Sequence, residues 1–229
     1  MKKFLLPSFF AFAFLLGGCM NTEIAEPKPI VEPRWPILIS RDSISSGGHL
    51  GLAIDEEAAS AYTKLQQLRP KGIEYANIVG NIFSDLSQLN GRLKLYTYLL
   101  LDEQIGTDTG VQITLQSGSV SSIYLNSGRY LDQWPLKKNA SSSVRLGDNA
   151  DVVYQKLTKI SGDKSYANKF ERISLLTKDL ATGFDPVMAA SPQWYFRYQL
   201  EPGISEDVQI NLEKGKVKYL IISRYKDLM

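Results

Sequence analysis

The chain contains a single histidine, and this limits the catalytic chemistry that its side chains can support. Nucleophilic catalysis of the serine–histidine–acid type requires an imidazole base close to the serine hydroxyl. His49 is the only candidate for that base, and it follows Ser45, Ser46, Gly47 and Gly48. We interpret this segment as a flexible loop that leads into the first folded unit. A centre built from several histidines is excluded, and we predict that the chain is not an enzyme.

Three acidic clusters could hold paired carboxylates or a cation, namely Asp55-Glu56-Glu57, Asp102-Glu103 and Glu206-Asp207. The first lies at the start of a predicted helix, where acidic residues are typical of caps that interact with the helix dipole rather than of glycoside hydrolysis. The other two are predicted to occupy equivalent loops before two hairpins. Those loops lack the spaced oxygen ligands and the glycine of an EF-hand. We therefore predict no metal site and no cofactor.

Aromatic residues form the other candidate site, because rigid aromatic side chains are favoured at the centres of interfaces. They cluster near predicted strand ends and in the segment that links the two halves of the chain. The candidates for contact with a protein or a glycan are Tyr124, Tyr130, Trp134 and Trp194. Alternating aromatics on strands are also typical of half-buried sheet residues. On that interpretation the core contains Tyr96, Tyr98, Phe196 and Tyr198.

Residues 1–18 have the pattern of a secretion signal. Lys2 and Lys3 precede an uncharged apolar stretch of about 13 residues, which is shorter than the roughly 20 residues of a transmembrane helix. The stretch ends at Cys19, the single cysteine of the chain. Residues 16–19, LGGC, resemble the lipobox of bacterial lipoproteins. The resemblance implies cleavage before Cys19, diacylglycerol on its thiol, and a further acyl chain such as palmitate on its amino group, which together suffice for stable membrane anchoring.

The mature part of the chain is electrically balanced, since removal of residues 1–18 leaves 24 basic against 24 acidic residues. A nucleic-acid partner normally requires a basic patch that displaces counterions from phosphates. The densest basic stretch, residues 214–218, fits the solvated edge of a hairpin, so we predict no nucleic-acid partner. With the only thiol carrying lipid, no disulfide is possible, and stability must come from packing.

Residues 19–36 combine the lipidated cysteine with a proline-rich tether. Prolines at positions 27, 29, 33 and 36 indicate an extended spacer of about 3 Å per residue. We expect residues 37–39, with Trp35 close by, to form a short edge strand at the start of the fold.

An internal repeat organises the remainder of the chain. Residues 111–120, VQITLQSGSV, match residues 208–217, VQINLEKGKV, at six of ten positions. Four shorter pairs occur in the same order, namely Leu50-Gly51 with Leu146-Gly147, Tyr62-x-Lys64-Leu65 with Tyr154-x-Lys156-Leu157, Tyr75-Ala76-Asn77 with Tyr166-Ala167-Asn168, and Tyr98-x-Leu100 with Tyr198-x-Leu200. We infer a duplication, with a first α/β repeat over residues 37–135 and a second over residues 136–229.

Within each repeat the period of apolar residues changes from helical to strand-like. Apolar residues at positions 58, 61, 62, 65 and 68 predict one helix, and those at 152, 153, 157 and 160, capped by Asp148 or Asn149, predict another. Alternation over residues 95–100 and 194–200, followed by glycine turns at 116–118 and 213–215, predicts antiparallel meanders. The expected fold class is α+β, with two tandem repeats that each contain a helix, or two short helices, and an antiparallel β-meander.

This arrangement resembles the β-lactamase inhibitor protein-like fold, a group that includes the small lipoprotein of the outer-membrane β-barrel assembly machinery. The residues that carry the resemblance are 146–157, LGDNADVVYQKL, and the strand–glycine–strand ending over 208–222. The resemblance implies a binding module rather than a catalyst.

We therefore expect a non-catalytic lipoprotein of the bacterial cell envelope that binds an envelope protein in an assembly or inhibition role. Its membrane contact is the lipid at Cys19, and Met20, rather than aspartate, in the next position favours the outer membrane. Two alternatives stay open. One is a glycan-binding or glycan-processing surface lipoprotein that uses an aromatic sheet face, and the other is a structural subunit of an envelope machine.

Overall fold

The computed structural model describes residues 35–227. The predicted signal, Cys19 and nearly all of the expected tether lie outside the described residues. The strands are β1 Ile37–Ile44, β2 Gly48–His49, β3 Leu52–Ala53, β4 Tyr75–Val79, β5 Ile82–Phe83, β6 Tyr98–Asp102, β7 Val111–Gln116, β8 Ser119–Leu125, β9 Gln133–Trp134, β10 Val144–Arg145, β11 Arg172–Leu175, β12 Thr177–Asp179, β13 Gln193–Glu201, β14 Ile204–Glu213 and β15 Lys216–Lys226. The α-helices are α1 Ala58–Gln67 and α2 Ala150–Ser161. Short 3₁₀ helices occur at Arg69–Lys71, Leu86–Leu89, Leu93–Leu95, Ala140–Ser142, Ala167–Phe170 and Pro186–Ala190.

The predicted α+β class with antiparallel strands is confirmed. The expected edge strand is also present, and it is longer than residues 37–39 because β1 continues to Ile44 along β15. Within residues 35–227, no helix combines the length and the apolar character that a bilayer crossing requires.

Most strands belong to two antiparallel sheets. One has the order β1-β15-β14-β13-β4-β12 and the other has the order β5-β11-β6-β7-β8. Hydrogen bonds also join the two sheets at their centre. The Thr97 amide donates to the carbonyl of Thr177 over 2.8 Å, and the Leu176 amide donates to the carbonyl of Tyr98 over 3.1 Å. The Ile78 amide donates to the carbonyl of Leu176 over 2.8 Å. The two sheets are therefore joined into one array of strands, with β8 at one edge and β1 at the other.

The strands of each sheet come from both halves of the chain. Strand β4, from the first half, lies between β12 and β13, and strand β11, from the second half, lies between β5 and β6. The expected boundary between residues 135 and 136 therefore does not separate two sheets. Periodicity identifies strands but not their distant partners, and this is why the sequence alone predicted two adjacent units.

Each helix begins on the hairpin of the opposite half. The Ala58 amide at the start of α1 donates to the carbonyl of Gly215 in the β14–β15 turn over 2.8 Å. The Ala150 amide at the start of α2 donates to the carbonyl of Gly118 in the β7–β8 turn over 3.1 Å. Each turn has two successive residues with positive φ. The φ angles are 50° and 77° at residues 117 and 118, and 53° and 78° at residues 214 and 215. Such angles match the twist of the strands in a tight hairpin.

The predicted helix caps are confirmed for α2 and corrected for α1. The Asn149 side chain accepts a hydrogen bond from the Val152 amide over 2.9 Å. The N-cap residue of α1, Glu57, makes no such bond. Glu56 instead accepts from the Ala53 amide over 2.7 Å and forms a 2.6 Å ion pair with Lys64, so it holds the preceding turn to the helix.

Candidate functional site

Strand register divides the joined sheet into a covered and an uncovered face, since residues opposite one another in a sheet lie on the same face. On the covered face, Ile78, Trp194, Ile210 and Leu220 form one buried row across four strands. The buried side chains of α1 and α2 belong to the same core cluster as this row. The ring of Tyr62 in α1, for example, lies edge-on to Trp194 with 6.5 Å between centroids.

The opposite face carries mainly half-buried and exposed side chains, and Ser174 is its buried exception. One row across β4, β13, β14 and β15 consists of Asn77, Tyr195, Gln209 and Ile221. A parallel row on the same strands consists of Val79, Gln193, Asn211 and Tyr219. A third row, on β8, β7, β6, β11 and β5, consists of Tyr124, Gln112, Leu100, Ser174 and Ile82. We call these three rows the uncovered face, and none of their residues carries a formal charge.

A pocket of about 310 Å³ lies at the centre of this face, where the two sheets join. Strands from both halves of the chain line it, with Asn77, Ile78, Val79, Gly80, Ile82, Tyr98, Leu176, Thr177 and Tyr195 as the lining residues. Its walls are mainly apolar, and the exposed fractions of Val79, Ile82 and Tyr195 are 38, 47 and 41%. The polar groups at its base are paired with each other, since the Thr177 hydroxyl donates to Oδ1 of Asn77 over 2.9 Å.

Charged groups near the uncovered face lie away from the pocket and neutralise each other. Nε of Arg197 is 2.5 Å from Oδ1 of Asp207, and its guanidinium lies 4.9 Å from the centroid of the Tyr225 ring. Arg197 and Asp207 form the next row on the same side of the sheet, beyond Tyr195 and Gln209, and the Tyr225 ring and the carboxylate both interact with this guanidinium. A ligand that covers the pocket meets aromatic, aliphatic and amide groups.

Two of the four aromatic residues that the sequence suggested extend this face. Tyr124 and Tyr130 are 39 and 47% exposed, and their rings pack edge to face with 5.3 Å between centroids. Together they continue the third row beyond the edge of β8.

The other two, Trp134 and Trp194, are buried, and this corrects their expected role in interaction. Trp134 is 6% exposed and packs on Tyr166 and Phe170, while Trp194 is fully buried and donates from Nε1 to the carbonyl of Met188 over 3.1 Å. The interpretation of Tyr96, Phe196 and Tyr198 as core residues is confirmed, whereas Tyr98 lines the pocket. Tyr195 belongs to the same aromatic cluster in the sequence but was not among the four candidates, although its position beside Trp194 in an alternating strand places it on the opposite face.

His49 does not lie in a flexible loop, as the sequence suggested, but in the hairpin formed by β2 and β3. Its Nε2 is 2.6 Å from Oε1 of Glu206, a fully buried carboxylate that also accepts from the Tyr198 hydroxyl over 2.8 Å and from Nε of Arg224 over 2.9 Å. Burial raises the pKa of Glu206, but hydrogen bonds from Arg224, Tyr198 and His49 outweigh this and hold it below its usual range.

The cluster around Glu206 therefore attaches the β2–β3 hairpin to the sheet. Glu206 and Asp207 lie inside β14 and Asp102 ends β6, so the two acidic pairs do not occupy equivalent loops. Among the described residues, no three or more His, Cys, Asp and Glu side chains are arranged to hold a metal ion.

A second buried carboxylate, Asp185, connects the two halves of the chain. It is 2% exposed, and its Oδ2 accepts from Nε of Arg92 over 2.8 Å and from the Tyr96 hydroxyl over 2.7 Å. Arg92 also donates to Oδ1 of Asn81 over 2.9 Å. Burial and the hydrogen bond to Asp185 raise the pKa of Tyr96, so its hydroxyl keeps its proton and donates a hydrogen bond to Asp185.

Lys178 is fully buried on the covered face, between two tyrosine rings. Its Nζ lies 5.0 Å from the ring centroid of Tyr62 and 5.8 Å from that of Tyr96, and it donates to the Asp179 carbonyl over 2.9 Å and to the Thr182 hydroxyl. Burial lowers the pKa of Lys178 to about 8, although Asp179 and Asp185 act in the opposite direction. With no exposed surface, this amine has a structural role.

We expect the Lys178→Met variant to lose a pH dependence that the wild-type protein has. Lys178 has a pKa of about 8 in the fold and about 10.4 in the unfolded chain. Between pH 8 and about pH 9 the unfolded chain binds more protons at this site, so the free energy of unfolding of the wild type rises with pH. Nearer pH 10 the tyrosines whose pKa values are raised in the fold act in the opposite direction. Urea unfolding at several pH values from 7 to 9 therefore measures this rise. The variant removes an ammonium group whose burial is unfavourable, and it is expected to be at least as stable as the wild type at pH 7.

The exposed Lys164→Met variant is the matched control and should retain the wild-type rise. A rise of the same size in Lys178→Met would contradict the assignment of the low pKa to Lys178.

No known protein family matches this chain, and no curated protein or solved structure is significantly similar to it.

Proposed function

We propose that this chain is a lipid-anchored protein of the bacterial cell envelope that binds another protein through its uncovered face and catalyses no reaction. The observation that carries the proposal is the set of three uncharged rows, with tyrosines at positions 124, 195 and 219, and the apolar pocket among them. The cores of protein interfaces are depleted in charge and enriched in aromatic residues, and their anchor side chains enter pockets. The uncovered face has each of these properties.

The size of the pocket favours a protein side chain as its occupant. Its volume of about 310 Å³ lies at the lower end of small-molecule sites, which span about 300–1,000 Å³. It would hold one aromatic or branched aliphatic side chain from a loop of the partner. The side-chain amides of Gln193 and Gln209, which lie beside it on β13 and β14, would then bond to the polar groups around that side chain.

The lipid at Cys19 would keep this face close to a membrane. The proposed anchor combines diacylglycerol on the thiol with a palmitate-type chain on the amino group, and two or more chains are needed for stable attachment. An outer-membrane position and a role in assembly or inhibition are part of the proposal.

We further propose that the fold arose by duplication followed by exchange of segments between the two halves. The turns before the two helices support this, because corresponding residues make the same contacts 92 positions apart. Glu56 binds the Ala53 amide and Lys64, and Asp148 binds the Arg145 amide and Lys156. The two sheets also have a common strand order. In each, the three strands of one meander are followed by one strand from the other half of the chain and then by one short strand, which gives β15-β14-β13-β4-β12 in one sheet and β8-β7-β6-β11-β5 in the other.

Photo-crosslinking in intact cells of the native organism tests the binding proposal. A photoreactive residue replaces Tyr195 or Tyr124 on the uncovered face, or Val187, which is similarly exposed at 44% but lies in the 3₁₀ helix packed on α1. We expect one dominant protein adduct from the uncovered face and none from Val187. Equal adducts from all three positions, or none, would overturn the proposal. Adducts to saccharide alone would favour the glycan alternative.

A further inference from the structure

Four exposed apolar side chains lie within five residues, three at the start of strand β1 and one just before it. The exposed fractions of Trp35, Ile37, Leu38 and Ile39 are 76, 53, 50 and 55%. We call these residues the apolar edge. Contiguous exposed apolar side chains on a folded protein mark contact with another macromolecule or with a membrane.

The shape of the apolar edge is poorly suited to pairing with a further strand. A register irregularity falls between Leu38 and Ser40, and such bulges interrupt the regular ladder of an edge strand. Beyond it the strand becomes polar, with exposed Arg41 and Asp42. A strand that paired with β1 would therefore contact an apolar segment of only three residues.

The composition and place of the apolar edge fit a lipid surface. Tryptophan and aliphatic residues beside lysine are typical of segments that lie in the membrane interface. Lys226 is exposed directly opposite Ile37 in the β1–β15 ladder. Trp35 follows Cys19 by 16 residues, so a lipid on Cys19 would present the bilayer to this edge at high effective concentration.

We propose that the apolar edge inserts into the interface of the membrane that holds the Cys19 lipid; the inference rests on the lipid anchor proposed above. Insertion would place strand β1 against the bilayer. The central pocket, separated from β1 by β15, β14 and β13, would remain open to a partner.

Tryptophan fluorescence tests this directly, because Trp35 is the exposed member of the three tryptophans while Trp134 and Trp194 are 6 and 0% exposed. The full lipidated protein, with its lipid verified by mass spectrometry, is reconstituted into phosphatidylcholine–phosphatidylglycerol vesicles with or without brominated acyl chains. We expect bromine to quench the Trp35 emission, defined as the difference between wild type and Trp35→Phe. Its maximum should also lie at a shorter wavelength than in detergent-free buffer with the unlipidated protein.

The combined Ile37→Ser, Leu38→Ser and Ile39→Ser variant should lose at least half of this quenching while its thermal unfolding midpoint changes little, since these side chains are exposed. Ile105→Ser, which removes an 85% exposed isoleucine from a loop, is the matched control and should quench like wild type. Equal Trp35 emission in both kinds of vesicle would overturn the inference and leave the anchor intact. In that case, cross-links between two copies of the protein through Trp35 would show that a second chain covers the apolar edge. Absence of the lipid mass would overturn the anchor and the inference together.

Discussion

Replacing Tyr195 by arginine is expected to reduce binding of the protein partner by at least about 30-fold, which corresponds to the roughly 2 kcal/mol that defines an interface hot spot. The side chain lines the central pocket and is 41% exposed. Arginine at this position would fill the pocket entrance and place a charge in a neutral surface that the partner must cover. The measurement is a titration of the partner identified by cross-linking, with wild type and variant compared at the same ionic strength.

Two arginine variants with similar exposure control for the effect of an added charge. Val187→Arg lies on the helix-bearing side and should bind like wild type. Tyr219→Arg lies on the uncovered face two strands from Tyr195 and should give an intermediate loss. If Tyr195→Arg binds as tightly as Val187→Arg, the pocket is not the centre of the interface.

The Asp185→Ala variant is expected to lower the free energy of unfolding by about 3–5 kcal/mol, because removal of one partner from a buried ion pair leaves the other uncompensated. The charge left behind is that of Arg92, and the Tyr96 hydroxyl loses its acceptor as well. Urea unfolding at pH 7 measures the difference.

Asp85→Ala is the matched control for this variant. Both aspartates cap a 3₁₀ helix, Asp85 by accepting from the Ser87 amide over 2.9 Å and Asp185 by accepting from the Val187 amide over 3.3 Å. Asp85 is exposed and makes no buried ion pair, so its loss should destabilise the protein much less. Similar losses in the two variants would mean that capping, rather than the contacts with Arg92 and Tyr96, accounts for the role of Asp185.

Local periodicity was sufficient to predict the two α-helices and the two long hairpins of this fold. Helix α1 buries Ala58, Ala61, Tyr62 and Leu65, which are members of the predicted apolar stripe. The β7–β8 and β14–β15 hairpins turn at the predicted glycines. Helices and tight hairpins are specified by contacts between residues close in sequence, and these contacts leave a direct pattern.

Contacts between distant residues leave no such pattern, and the candidate site depends on them. The pocket forms where β4 meets β12 and β13, which are about 100 residues away in sequence. His49 and Glu206 are 157 residues apart. The aromatic candidates were partly wrong because composition identifies a run such as Trp194-Tyr195-Phe196 but not which member faces solvent; that choice is made by the strand register.

Because β4 and α1 complete the second half of the sheet, while β11 and α2 complete the first, neither half of the chain can bury its own core. The Ala58 amide pairs with the carbonyl of Gly215, which lies 157 residues later in the chain. Folding of a protein with so many non-local contacts is slow. As the chain is synthesised, the first half would therefore emerge with unpaired strand edges and exposed apolar side chains, and such species aggregate unless they are protected. The interleaving of the two halves thus makes the order of chain emergence matter, because the first half stays open to aggregation until the last strand, β15, is available.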